Sequence, residues 1–175
     1  SSDVCSSDLG TVSLDIKAIK NITAGAGGKV TATYNWFGDH DGDSSTDKQA
    51  TSDMVKGAYL ADLLTAAGVS GSNLKIDITT TDGYAPDHYK GITLSEIQDK
   101  AYFVAYDKSN DNGATWTGFS DADKNSPANV ATIRIYRNYD DGNSTWFNRL
   151  TSIKGITVTG AGSVEPTVFA VYPAD

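Results

Sequence analysis

Cysteine is almost absent from this 175-residue chain: there is one, Cys5, in the terminal stretch SSDVCSSDL. A disulfide framework is thereby excluded, and so is a metal centre built on paired thiolates. Basic charge is also scarce. The chain has 14 Lys and Arg against 22 Asp and Glu, a formal net charge of -8, whereas nucleic acid and anionic lipid are bound through a surplus of cations. No nucleic-acid partner is expected. No apolar run approaches the roughly 18 to 20 residues that a membrane-spanning helix needs, so no membrane insertion is expected, and no apolar signal-peptide core precedes the first strand. Histidine occurs only as His40 and His88. A Ser-His-Asp order, a phosphate-binding Gly loop and a metal-spaced His/Cys cluster are missing, and no catalytic residue is assigned.

What is present is enough for one domain with a real core, since 39% of the residues are hydrophobic. Thr, Asn, Asp, Ser and Gly are abundant, the composition of a hydrated, oxidation-indifferent surface, which fits a secreted or cell-surface bacterial protein. The opening stretch nearly repeats its own Ser-Ser-Asp unit. Its second half back-translates as TCT TCC GAT CT, which resembles a translated sequencing adapter. Residues 1–9 are therefore read as an artefactual or disordered segment from assembled metagenomic DNA, which removes Cys5 from catalysis and overwrites the natural N-terminus. Residues 10–160 are expected to form a single α+β domain. Residues 161–175 read as an edge followed by a linker toward neighbouring domains of a larger surface protein.

Val12, Leu14, Ile16 and Ala18 alternate with polar residues, the period of a half-buried strand, and Val30, Ala32, Tyr34 and Trp36 repeat it after the turn AGAGG. The stretch DHDGDSSTDKQATSD reads as a polar loop. In GAYLADLLTAAG, Leu60, Leu63, Leu64 and Ala67 share one helical face, with Gly68 placed to end the helix in the left-handed conformation. LKIDITT is a strand with Leu74, Ile76 and Ile78 inward, closed by the turn TDGY. TLSEI carries a capping box, Thr93 with Glu96. AYFVAYD and ATWTGF flank KSNDNG, and VATIRIY and KGITVTG add two strands. The sum is an α+β fold of mixed or antiparallel sheets, about seven strands with two short helices.

This order of elements, carried by Gly57, Leu60, Leu63, Leu64, Asp82, Gly83, Tyr84, Ala105, Tyr106, Asn112, Gly113, Arg134 and Ile156, resembles the molybdopterin-binding oxidoreductase domain of the sulfite-oxidase type. The resemblance implies that fold and a pterin site approached by Tyr84, Arg137 and Arg149. It also implies a cysteine ligand to molybdenum between the second strand and the Leu-Leu helix. That loop has no cysteine here, and serine does not replace a soft thiolate. Asp140 and Asp141 stand where the family meets the pterin phosphate, leaving Arg137 and Arg149 as the attracting charges. The expectation is a non-catalytic binding or structural module with this fold and no cofactor of its own. The alternatives are a molybdopterin-binding oxidoreductase domain and a Ca²⁺-stabilised carbohydrate-binding or adhesion domain.

The third reading rests on two further features. Asp39, Asp41, Asp43 and Asp47 match acidic positions of an EF-hand loop, but Ser44 stands at its glycine and Ala50 at its bidentate glutamate, so any Ca²⁺ binding is expected to be weak. Trp36, Trp116, Trp146, Tyr84, Tyr89 and Tyr139 offer flat rings. Trp36 and Trp146 are expected in the core, and Tyr84 and Tyr89, on a loop, are the candidates to stack a small-molecule or glycan ligand. Finally, SNDNGATW matches an Asp box. As a single copy it predicts a hairpin in which Asp111 bonds its own turn and Gly113 takes a positive φ.

Overall fold

A computed structural model of the chain describes residues 8–12, 30–36, 51–66, 68–71, 73–83, 86–120, 132–138, 148–160 and 162–163. The described residues form a sheet-rich α+β fold. One three-stranded antiparallel sheet has the order β1-β10-β5, with β1 at Asp8–Val12, β5 at Lys75–Thr80 and β10 at Ile153–Thr159. Its register sets Ile156 against Ile78 and Val158 against Ile76, so the inward aliphatics of both strands meet on one face. β1 begins at Asp8, which puts the last two residues of the adapter-like segment into a strand. The first strand therefore starts earlier than its apolar alternation predicts, and residues 13–18 lie outside the described residues.

The larger sheet runs β2 (Val30–Trp36), β3 (Thr51–Tyr59), β6 (Phe103–Ser109), β8 (Arg134–Tyr136) and β9 (Arg149–Leu150), with β7 (Thr117–Gly118) paired to β6. The sheet curls: Asn148, just before β9, donates its Nδ2–H to the Asn35 carbonyl on β2, at the opposite end of the strand order. A short pair, β4 (Ser70–Gly71) with β11 (Gly162–Ser163), completes the pattern.

β3 is the main departure from the sequence pattern, which predicts a polar loop over 51–53 and a helix from Gly57. Asp53 and Lys56 are buried in this strand beside Val55 and Ala58, so polar residues interrupt its inner positions and the alternation that marks a strand is hidden. Gly57 sits at a register shift of β3 against β6. A Cβ there would lie 1.9 Å from the Val104 carbonyl oxygen, so the two backbones touch.

The helix α1 spans Leu60–Ala66 and buries Leu60, Leu63 and Leu64 as expected. It ends where Gly68 takes φ +77, with Gly68 N–H bonded to the Thr65 carbonyl and Val69 N–H to the Leu64 carbonyl, the paired bonds of a Schellman cap. Helix α2, Leu94–Asp99, starts with both halves of the capping box formed between Thr93 and Glu96. It ends in the same pair of bonds, Ala101 N–H to Gln98 and Tyr102 N–H to Ile97, but there the left-handed residue is Ala101, φ +48.

Both helices and the three-stranded sheet pack on one face of the larger sheet around Leu60, Leu63, Ile76, Ile97, Val104, Ile135 and Ile156. Its other face carries Tyr34, Val55, Phe103, Ala105, Phe119 and Tyr136. The strand count exceeds the expected seven because two-residue strands such as β7 and β9 leave too short a pattern to read.

Candidate functional site

A cleft of about 350 Å³ opens between the 3₁₀ turn Asp87–Tyr89, helix α2 and the residue that follows β8. The cationic groups of its lining are Arg137, Lys100 and Lys90, with His88 beside them. Arg137 is only 3% exposed. Its N–H bonds the Asn148 carbonyl at 2.9 Å, and the next residue, Asn138, donates to the Lys100 carbonyl at 2.8 Å. The end of β8 is thus tied both to the β9 side of the sheet and to the end of α2, which brings Arg137 and Lys100 to one cleft.

Two carboxylates also line it, Asp87 and Glu96. Glu96 is committed to the capping box, where its Oε2 accepts from the Thr93 N–H at 3.2 Å, and Asp87 is exposed to water, which screens it. Tyr102 forms another part of the wall. Its hydroxyl donates to the His88 carbonyl at 2.6 Å, and the Arg137 guanidinium lies 5.7 Å from its ring centroid, within cation–π range.

Of the residues singled out in the sequence, the structure brings together Arg137, Arg149 and Tyr89. Both guanidinium groups lie close enough to the Tyr89 phenol to pull its pKa downward, yet burial dominates and pushes it well above the usual tyrosine value. Tyr89 is 0% exposed, so its ring is not the open stacking surface expected of a loop tyrosine. The turn that carries it folds inward because the ring packs edge-on against Tyr102, with centroids 6.0 Å apart. Tyr84 and the acidic set Asp39, Asp41, Asp43 and Asp47 lie outside the described residues. Lys90, Lys100 and Tyr102 were not foreseen. Positions 90, 100 and 137 converge only through the tertiary path of the chain, and Lys100, a basic residue ending a short helix, carried the one local signal.

A second polar cluster lies on the aromatic side of the larger sheet. Asp53 is fully buried. It accepts from the Tyr136 hydroxyl at 2.6 Å, and Lys108 Nζ and an Arg134 nitrogen stand 3.1 Å and 3.7 Å from its carboxylate oxygens. The Tyr136 phenol is pushed above its ordinary value, first by burial and then by the Asp53 charge.

The single Asp box forms the expected hairpin. Asp111 accepts from the Thr115 N–H at 2.8 Å and from the Thr115 hydroxyl, the Gly113 N–H bonds Ser109 Oγ, and Gly113 takes φ +88. The Thr115 bonds, hydroxyl first, hold the Asp111 carboxyl down at about 2. Trp116 of this motif is stacked under Lys56, whose Nζ is 3.9 Å from the ring centroid.

Among the described residues no group of three or more His, Cys, Asp or Glu could hold a metal ion, and no helix is long and apolar enough to cross a membrane. Compared with protein-family models, curated proteins and solved structures, the chain matches none.

Proposed function

We propose that this chain is a non-catalytic binding module of a bacterial extracytoplasmic protein, and that the Arg137 cleft takes the anionic group of a small-molecule ligand. One observation carries the reading: in a chain of net charge -8, a nearly buried guanidinium lines a cleft together with two lysines. A guanidinium offers a planar fork of donors to a carboxylate or phosphate, and a partly dry setting strengthens each charge-assisted bond. The extracytoplasmic part of the reading rests on the cysteine-poor, Thr-, Asn- and Gly-rich composition.

The donor set does not fit a molybdenum centre. The one thiol of the sequence is Cys5, in the terminal segment, and the cleft supplies nitrogen cations, a phenol and two carboxylates, not the soft ligand that such a metal takes. A titration with inorganic phosphate, followed by amide chemical shifts, tests the proposal. Shifts should concentrate at residues 87–92, 100–102 and 137, and Arg137→Gln should abolish them. Saturable binding that is indifferent to Arg137→Gln would overturn the assignment of the cleft.

A further inference from the structure

The Tyr89 hydroxyl has no hydrogen-bond partner although the residue is completely buried. A buried donor left unmade is costly, and native folds leave few of them. Tyr102, the ring packed against Tyr89, spends its own hydroxyl on the His88 carbonyl. The charged groups that act most on the phenol are Arg137 and Arg149, both of which are donors only. The Tyr102 oxygen could accept, but no bond from Tyr89 reaches it or any other group. The residues on either side of Tyr89, His88 and Lys90, line the cleft, as do its neighbours in space Tyr102 and Arg137. Burial keeps the phenol protonated, hence a donor.

We propose that the Tyr89 hydroxyl is a specificity-determining donor of the cleft, engaged when the oxyanion of a ligand is drawn in against Arg137. This rests on the reading of the cleft as an anion site and adds to it. A phenol that donates to nothing, beside guanidinium groups, suits a group rich in acceptor oxygens, such as a phosphate or sulfate ester, and disfavours a neutral hydroxylated ligand, which would bring donors of its own. The wall must yield for the contact to form. The ligand therefore gains the bond that the free protein lacks, and the cost of the unmade donor in the free state becomes selectivity in the bound one.

Tyr89→Phe separates this role from a packing role because it keeps the ring and removes only the hydroxyl. In the free protein the melting temperature should stay the same or rise, since no bond is lost. Affinity for inorganic phosphate should fall about tenfold or more, the loss expected for a hydrogen bond to a charged acceptor. A lower melting temperature would show that the hydroxyl is already satisfied and overturn the inference, as would unchanged phosphate affinity. If phosphate binding depends on Arg137 but not on Tyr89, the inference alone falls and the cleft stands. If wild-type protein does not bind phosphate, or binds it equally well as Arg137→Gln, both fall.

Discussion

The two faces of the larger sheet are both buried, yet they are built from different chemistry. One meets Leu60, Leu63 and Leu64 of α1, the isoleucines of β5 and β10 and Ile97 of α2. The other is a set of rings, with Tyr34 stacked on Tyr136 at 5.6 Å and Phe103 meeting Tyr59 edge-on at 5.2 Å, beside the buried Asp53. The aliphatic face is held by area removed from water, which is non-directional and tolerant of repacking. The aromatic face depends on orientation, because a phenol must find its acceptor and a buried carboxylate its donors. Burying polar groups in this way trades tolerance for geometry.

Truncating each face in turn tests whether they matter equally. Leu63→Ala on the first should cost about 2–5 kcal/mol and Phe103→Ala on the second about 3–5 kcal/mol in chemical denaturation. A loss below about 0.5 kcal/mol at either position would mean that its face is not a core. Asp53→Ala sharpens the contrast. It leaves Lys108 and Arg134 without their common carboxylate, and because the Lys108 side chain is 27% exposed the cost should sit near the low end for a broken buried pair, about 3 kcal/mol.

Alkali should act through the buried phenols, Tyr34 and Tyr136 on the aromatic face and Tyr89 on the other. Burial raises the pKa of Tyr34 and Tyr136 above the ordinary tyrosine value, so folding favours the protonated phenols. Their contribution is fully present below the unfolded pKa of about 10 and is lost as pH rises above it. The denaturation midpoint should fall from about pH 10 upward, and Tyr136→Phe should blunt that fall at the price of the Asp53 bond. A wild-type midpoint unaffected between about pH 9 and 12 would contradict the burial of these rings.

The smallest expected effect lies at the helix ends. Gly68 and Ala101 occupy the same left-handed cap position, but only glycine adopts it without a Cβ penalty. Ala101→Gly should stabilise by up to about 1 kcal/mol and Gly68→Ala should destabilise by about as much. Matching thermal shifts of opposite sign would establish the cap geometry at both ends.

The same contrast explains what could be read in advance. The aliphatic face was legible: Leu60, Leu63 and Leu64 at helical spacing, Ile76 and Ile78 at strand spacing, and Thr93 with Glu96 three residues apart all fall where periodicity and capping chemistry put them. The aromatic face was not, because β3 presents Asp53 and Lys56 at buried positions and so resembles a loop. Of the cleft, Arg137 was picked out as a single residue, as were its neighbours Arg149 and Tyr89. Their convergence with Lys90 and Lys100 depends on the bond from Asn138 to the Lys100 carbonyl, a contact between distant segments that no local pattern encodes.

Strand β6 gives the two faces a common fate. Phe103 and Ala105 belong to the aromatic cluster, while Val104 and Tyr106 belong to the aliphatic one, and the strand is flanked by β3 on one side and β8 and β7 on the other. Neither cluster can open without exposing alternate side chains of the same strand, so local fluctuations have no route to its interior amides. The N–H groups of Val104 and Ala105 should therefore exchange with solvent deuterium only through global unfolding, at the slowest rate in the chain, and make the two halves a single cooperative unit.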